Sequence, residues 1–295
     1  MTKILPFILI LLVTSCKNDT QNVEINSLIG DWRGEFSHQT PYDNENHIKT
    51  LTFLNDSIGS NFADGGYAKY KIEDSILTFN YPQYKYKEQI KDGEKYEYII
   101  KFKNIDSILI KPLSINAKND FHQNDVYFNK IEVKNNHRYK KIGFYSTICY
   151  GSCPSLYVEI NNSGDILFNG YRFTDKKGLY SGKIDSEIHK LLLKKINLID
   201  WSKIKSEYIS NHTDAPTYKL RIQLDNEKLI NCKLYGSNDE PIELDNLLHL
   251  IKESYKFSDL KSDTLVKMKF QFQDLAKGIR PPPPPPNFKP IEVIK

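Results

Sequence analysis

Apolar and polar residues alternate with a period of two between residues 28 and 130, which is typical of strands with one buried face. Short polar turns separate the alternating segments, which read LIGDWRGEF, HIKTLTFLN, YAKYKIE, DSILTFNY, EKYEYIIKFKNI, DSILIKPL and DVYFNKIE. The pattern predicts an all-β first domain of seven or eight short antiparallel strands, with no convincing helix. Such a meander buries its apolar face by closing into a barrel or by folding as a sandwich, and the sequence leaves both open.

The period changes after residue 131, where strand spacing and helical spacing follow each other. Leu156, Val158 and Ile160 alternate with other residues before Gly164, which indicates a hairpin. Two helices are predicted from apolar residues that share one face, namely Ile188, Leu191, Leu192 and Ile196 after the capping pair Asp185-Ser186, and Leu244, Leu247, Leu248, Ile251 and Tyr255. The fold class is therefore α+β overall, with an α+β second domain of antiparallel strands and two helices over residues 131–262. Because the period changes near 131, we expect the halves to have separate cores and to fold independently.

The N-terminus, MTKILPFILILLVTSC, places Lys3 before an apolar run from Ile4 to Val13. This run is too short to cross a hydrocarbon core of ~30 Å at ~1.5 Å per residue, and it is typical of a secretory signal. Its end, the segment VTSC, resembles a bacterial lipobox, in which the cysteine is diacylated. An ordinary signal peptide that contains a cysteine is the alternative. We predict a lipoprotein signal peptide over residues 1–15, lipidation at Cys16, a polar tether over 16–27 and anchoring in the bacterial cell envelope, at the outer membrane.

Residues 263–295 form a predicted proline-rich tail with six prolines at 281–286. Six prolines make a polyproline II rod of roughly 19 Å, which can act as a spacer or as a ligand for an aromatic groove. The segment Asp-Ser-Ile recurs at 56–58, 74–76 and 106–108, and we expect its Asp and Ser to bond their own backbone at turns. These segments also resemble an O-glycosylation acceptor of the Bacteroidetes, and that alternative stays open.

Charge and residue spacing exclude several classes of function. The 41 basic and 37 acidic side chains leave a formal net charge of +4 without a block of one sign, so no nucleic-acid partner is predicted. The seven histidines show no ligand-pair spacing, so we predict no metal and no cofactor. No catalytic residue is predicted, because there is no GxSxG motif and Asp214 of the segment HTD is explained as a turn residue whose carboxylate accepts backbone N–H groups, with a site role as the alternative.

The segment CYGSCP at 149–154 carries the chemistry that remains. A thioredoxin-type site has CxxC at the start of a helix, whereas Cys149 and Cys153 have one more residue between them and precede a strand. A tight turn with Gly151 at positive φ would bring the two cysteines within disulfide distance, and export favours oxidation. We therefore predict a structural disulfide Cys149–Cys153, with Cys232 as a competing partner or a buried free thiol.

Two resemblances follow from these motifs. The segment CYGSCP, the hairpin LYVEINNSGDILFNGY and the segment TDAPTY at 213–218 resemble domain-of-unknown-function family 6438 of Bacteroidetes lipoproteins, where CYGxCP and TDxPT recur in this order. The family implies a domain name and no activity. Gly30-Asp31-Trp32 resembles the GxW that opens lipocalin-like barrels.

Together these observations predict a membrane-anchored extracytoplasmic lipoprotein that acts as a non-enzymatic binding or envelope-interaction module. The predicted partners are the membrane, through the lipid anchor, and either an envelope protein or a small apolar ligand. A small-ligand carrier that uses the first barrel is the alternative function, and a thiol-disulfide oxidoreductase that uses the CxxxC is a third.

Overall fold

The structure is a computed structural model that describes residues 28–39, 44–60, 67–80, 85–86, 89–90, 95–122, 124–133, 135–211, 214–236, 239–263 and 270–276. It contains a closed antiparallel β-barrel followed by a second sheet with helices, so the predicted α+β class is confirmed. Cys16, the signal peptide, the tether and the six prolines lie outside the described residues. None of the described helices has the length and apolar composition needed to cross a membrane.

Eight strands close the barrel in the order β1-β10-β9-β8-β5-β4-β3-β2, with β2 hydrogen-bonded back to β1. Their bounds are Gly30–Gln39 (β1), Asn44–Phe53 (β2), Ile58–Ser60 (β3), Ala68–Glu73 (β4), Ile76–Asn80 (β5), Lys95–Asn104 (β8), Ser107–Pro112 (β9) and Val126–Lys130 (β10). Two short strands, Lys85–Tyr86 (β6) and Gln89–Ile90 (β7), pair only with each other. The structure therefore decides for a barrel, which needs the pairing of β1 with β10.

Aromatic side chains fill the barrel. Six large residues are 0% exposed inside it: Trp32, Phe53, Phe79, Tyr98, Phe121 and Phe128. Trp32, the last residue of the GxW segment, donates its indole N–H to the Leu28 carbonyl at 2.8 Å, which satisfies its polar atom in the core. Since these rings pack against one another, they occupy the interior that a carrier would need for its ligand.

Two features of the first half differ from the prediction. A short helix, Ile115–Asp120 (α1), begins at Ser114, whose side chain accepts the Ala117 N–H, and Ala117 is buried in the barrel core. At two of the three Asp-Ser turns the preceding asparagine bonds the backbone: Asn55 accepts the N–H groups of Ser57 and Ile58, and Asn104 accepts that of Asp106. At the remaining turn, Asp74 and Ser75 have positive φ.

The second half is an eight-stranded sheet in the order β15-β17-β16-β11-β12-β13-β14-β18, antiparallel except between β15 and β17. Its strands are Tyr139–Ser146 (β11), Ser155–Asn161 (β12), Asp165–Arg172 (β13), Gly178–Ile184 (β14), Glu207–Ile209 (β15), Thr217–Leu224 (β16), Leu229–Tyr235 (β17) and Ser258–Ser262 (β18). Two helices, Ser186–Leu198 (α2) and Ile242–Glu253 (α3), cover its inner face, and a 3-10 turn at Ser254–Phe257 follows α3.

Local signals in the sequence account for several of these elements. The Asp185 carboxylate accepts the N–H groups of Glu187 and Ile188 and so begins α2 as predicted. Gly164 has a φ of +80° in the β12–β13 hairpin, a conformation that other residues rarely adopt. The predicted apolar faces of α2 and α3 lie in the core, since Leu192, Ile196, Leu244 and their neighbours on the same faces are buried.

The boundary of the predicted tail needs a correction. Residues 270–276, which end in a 3-10 turn at Gln273–Ala276, lie on the outer face of the second sheet. Phe272 and Leu275 are 9% and 5% exposed there and pack with Tyr157. We call residues 270–276 the strap. The sequence analysis assigned these residues to the tail, because the alternation in FQFQ is only four residues long.

The two halves meet through a buried ion pair. Asp31 of β1 points out of the barrel toward α2, where its carboxylate pairs with the ammonium of Lys195 and each side chain is 1% exposed. The Thr52 hydroxyl donates to the same carboxylate oxygen at 2.8 Å. The second carboxylate oxygen has no hydrogen-bond partner among the described residues. Because an unpaired buried charge is costly, the pair fixes the position of β1 against α2.

Candidate functional site

The predicted disulfide between Cys149 and Cys153 closes the loop that connects β11 to β12, with the two Cα atoms 5.5 Å apart. The Gly151 N–H donates to the Cys149 sulfur at 3.2 Å. Gly151 is not among the residues with positive φ, so this part of the prediction was wrong. A Cβ at Gly151 would lie 3.7 Å from that sulfur, which is an ordinary van der Waals contact, so the loop has room for a side chain at this position.

The loop that contains Asp214 lies against the disulfide loop. Thr147 and Thr217 exchange two hydrogen bonds: the Thr147 N–H donates to the Thr217 carbonyl at 3.0 Å, and the Thr147 hydroxyl accepts the Thr217 N–H at 2.8 Å. Farther along the same loops, the Tyr150 N–H donates to the Asp214 carbonyl at 3.4 Å. The segments CYGSCP and DAPT are therefore brought together at one end of the sheet, although about 60 residues separate them.

Asp214 is exposed, and its main-chain carbonyl makes this contact with Tyr150. The sequence analysis expected the carboxylate to accept backbone N–H groups. That role stays a prediction. Partial desolvation and then the charge of Asp214 raise the pKa of the Tyr150 phenol. Residues 212 and 213 of the HTD segment lie outside the described residues, so the structure does not test a triad there.

Exposed aromatic side chains surround this end of the sheet. Ser155, directly after the disulfide loop, pairs with Arg172 of β13, which places residues 171–173 beside that loop. Tyr150, Tyr171 and Phe173 are 40%, 43% and 46% exposed, so each ring offers a large surface to solvent. We call Tyr150, Tyr171, Arg172 and Phe173 the aromatic edge.

Phe173 has an unusual backbone for a bulky residue. Its φ is +55°, in the left-handed region that costs a residue with a Cβ roughly 1–2 kcal/mol. The loop after it folds tightly over Gly170, where a Cβ would lie 2.0 Å from the Lys176 carbonyl oxygen. The buried Thr174 hydroxyl also donates to that oxygen at 2.7 Å, so the surrounding structure holds the strained residue in place. The Arg172 guanidinium lies 5.3 Å from the centre of the Phe173 ring.

Tyrosines on the outer face connect the aromatic edge to the strap. The Tyr145 ring lies 6.2 Å from that of Tyr171 and 6.3 Å from that of Tyr157, and Tyr157 contacts Phe270 of the strap at 4.6 Å. Desolvation raises the pKa of Tyr145, and desolvation followed by the proximity of Tyr145 raises that of Tyr171. Both phenols are protonated at neutral pH, as ordinary tyrosines are, and can donate hydrogen bonds.

The free thiol of the second half is buried. Cys232 is a buried free cysteine, and burial followed by the charge of Glu240 raises the pKa of its thiol to about 12. It is therefore a thiol rather than a thiolate at neutral pH. Within the described ranges, no three His, Cys, Asp or Glu side chains are grouped as a metal ion would require.

Comparison with known proteins places this surface in a region that matches a family model. Residues 140–255 match the family model Domain of unknown function (DUF6438). The match supports the predicted second domain and contains both the disulfide loop and the aromatic edge. No curated protein and no solved structure matches the chain.

Sequence reasoning missed Arg172 and Phe173 of the aromatic edge. They directly follow the predicted hairpin, and the sequence analysis gave them no role. An aromatic residue in a loop is itself a signal, because exposed loop aromatics are more often used for binding than for packing. The positive φ of Phe173 could not be predicted, since it depends on the contact between Gly170 and residue 176.

Proposed function

We propose that this protein is a Bacteroidetes-type lipoprotein, anchored through Cys16 and exposed outside the cytoplasm, that binds a protein of the cell envelope without catalysing a reaction. The aromatic edge is the binding surface. The observation that carries the proposal is Phe173, a strained residue whose ring is 46% exposed beside a disulfide-braced loop.

Three physical arguments support a protein partner. Backbone strain at a bulky residue persists only where the surrounding structure enforces it, and such residues cluster at functional sites. Tyrosine, phenylalanine and arginine are enriched in the buried centres of protein interfaces. The disulfide and the hydrogen bonds between Thr147 and Thr217 hold the neighbouring loops rigid, so association orders few side chains.

The two alternative functions lack a comparable observation. The aromatic packing inside the barrel weighs against a carrier. The strand β12 begins at Ser155, directly after the disulfide loop, so a helix N-terminus that would lower the pKa of Cys153 does not follow it.

Site-specific photocrosslinking in intact cells tests the binding surface. A photoreactive phenylalanine analogue at position 171 should form an adduct with an envelope protein. The same analogue at Tyr127, a tyrosine on the barrel that is 53% exposed, is the matched control and should form none. Phe173→Asn should abolish the adduct at 171. The melting temperature of this variant should equal or exceed that of the wild type, because asparagine tolerates positive φ. Equal adducts at 171 and 127, or no adduct at 171, would reject the aromatic edge as the binding surface.

Cell fractionation tests the anchor separately. Cys16→Ala should release the protein from membranes, because a diacylated cysteine supplies the buried methylenes that hold the chain there. A Ser15→Ala variant, which keeps the cysteine and a small residue before it, is the control and should stay membrane-bound. A Cys16→Ala protein that remains in the membrane fraction after high-salt washing would contradict lipid anchoring at this residue.

A further inference from the structure

The strap occupies a site that is built for a peptide backbone. The Glu159 carboxylate, 3% exposed on the outer face of β12, accepts the consecutive main-chain N–H groups of Gln271 and Phe272 at 2.9 and 2.6 Å. The Tyr157 hydroxyl donates to the same carboxylate at 2.6 Å. A carboxylate buried in this way is tolerated because these donors surround it. Glu159 therefore binds the backbone of the segment that lies over it, and this contact does not depend on the side chains of that segment.

Two further residues fit the side chains of the strap. Gly143 of β11 leaves the space for the Phe272 ring, since a Cβ there would lie 2.6 Å from a ring atom. The Arg221 guanidinium lies 5.3 Å from the centre of that ring and forms an ion pair with Asp274 at 2.8 Å. Glu159, Gly143 and Arg221 all belong to the DUF6438 domain at 140–255, whereas the strap lies outside it.

The strap ends beside a basic cleft. Leu275 and Asp274 form one wall of a cleft of about 330 Å³ that extends over β16 and β17. Lys219 and Lys233 pair directly across these two strands, and like charges in such positions repel each other. Burial and then the charge of Lys233 lower the pKa of Lys219, while the charge of Asp274 partly opposes this shift. Three cations in the cleft thus face the two carboxylates of Glu207 and Asp274.

The strap is also separable from the main core. Its buried residues pack with Tyr157 in a small cluster of three, distinct from the core between the sheet and the helices. Opening of the strap therefore exposes few apolar groups and leaves the main core intact, as local unfolding of peripheral segments requires. In its place, a segment of another chain can form the same contacts.

We propose that the outer face of the DUF6438 domain is a peptide-binding site for a short segment of a partner protein, and that the strap is its competitor within the same chain. The segment has two aromatic residues at alternate positions, then an acidic residue, a leucine and a further acidic residue that enters the basic cleft. The first four features are those of Phe270, Phe272, Asp274 and Leu275, and the fifth follows from the charge of the cleft. This site is independent of the aromatic edge, and either can fail without the other.

Binding of a fluorescent peptide with the sequence of residues 269–277 tests the proposal on the full-length protein. In Phe272→Ser/Leu275→Ser the strap loses its apolar anchors, and the site should bind the peptide at least tenfold more tightly than in the wild type, where the strap competes at high effective concentration. Adding Gly143→Val should reduce binding at least tenfold by filling the space of the ring. Lys101→Val, an exposed strand position of the barrel, is the matched control and should leave binding within twofold.

A second peptide tests the acidic requirement. Lys277→Glu in the peptide should increase affinity several-fold at low salt, and the gain should shrink at high salt because the interaction is screened. Weaker binding of this peptide would overturn the acidic part of the proposal.

Three results would overturn the proposal as a whole. They are equal peptide binding by the wild type and the strap variant, binding that survives Gly143→Val, and failure of the strap variant to fold, which would make the strap an integral part of the core. Hydrogen exchange on the wild type gives an independent readout. The amides of Gln271 and Phe272 should exchange faster than those of β11 and β12, and exchange only by global unfolding would contradict a separable strap. If the protein forms dimers by exchanging straps, the occupant of the site is a second copy of this chain, and the proposal of a partner protein is wrong.

Discussion

The buried pair between Asp31 and Lys195 offers the most direct test of how the two halves are joined. Lys195→Met keeps the length of the side chain but removes the ammonium, and it leaves the Asp31 carboxylate with the Thr52 hydroxyl as its described donor. Both charged side chains are 1% exposed, so water does not replace the lost partner. Removal of one member of such a pair costs about 3–5 kcal/mol of unfolding free energy. We expect a loss in this range for Lys195→Met and for Asp31→Val.

The double variant decides whether the loss comes from an unpaired charge. When apolar residues replace both members of a buried pair, stability is often unchanged or higher. Asp31→Val/Lys195→Met should therefore be close to the wild type, and the two single losses should not add. The coupling free energy from the double-mutant cycle would then equal the sum of the two single losses, about 6–10 kcal/mol.

Urea unfolding measured by tryptophan fluorescence is a suitable assay, because the chain has two tryptophans and one lies in each half. Trp32 reports on the barrel and Trp201 on the second core. The double-mutant cycle is measured once in a Trp201→Phe background and once in a Trp32→Phe background, so that one tryptophan remains each time. Differences in the free energy of unfolding are compared only within one background. Single losses below about 1 kcal/mol, as for an exposed pair, or additive effects in the double variant would refute the reasoning.

The remaining predictions concern three local features. Replacing Cys149 and Cys153 by serine should lower stability by about 2 kcal/mol for a five-residue loop and leave the fold intact, as checked by circular dichroism; fast alkylation of the reduced native pair at pH 6 would instead indicate a redox site. Burial and then nearby lysines lower the pKa of His249 to about 3. Between this value and pH ~6.5 the histidine is neutral in the folded protein but protonated in the unfolded chain. The free energy of unfolding should therefore fall by up to ~1.4 kcal/mol for each pH unit of acidification in this range. His249→Gln should flatten this part of the pH profile, and an unchanged slope would assign it to other groups. Residues 131–276 expressed alone should melt at a higher temperature than residues 131–262, because only the longer segment supplies the strap N–H groups that Glu159 accepts; equal melting temperatures would remove the strap from the stability of this half.

The sequence by itself determined the features that depend on neighbouring residues. A period of two predicts strands because successive side chains point to opposite faces, and the first half is built of such strands. The side chain of Asp185 caps α2 and Gly164 allows the hairpin turn through interactions within a few residues. The disulfide belongs to the same class, since only three residues separate its cysteines.

Only the tertiary structure decided the features that join distant parts of the chain. Closure of the barrel depends on pairing between β1 and β10, which about 100 residues separate, and a sandwich has the same local pattern. Asp31 occupies an outward position that predicts exposure, yet the structure covers it with α2. Glu159 likewise looks like a solvent-facing strand residue until the strap lies over it. In each case the periodicity fixes which face of a strand a side chain occupies, whereas the burial of that face depends on contacts with residues that are remote in sequence and that no local pattern encodes.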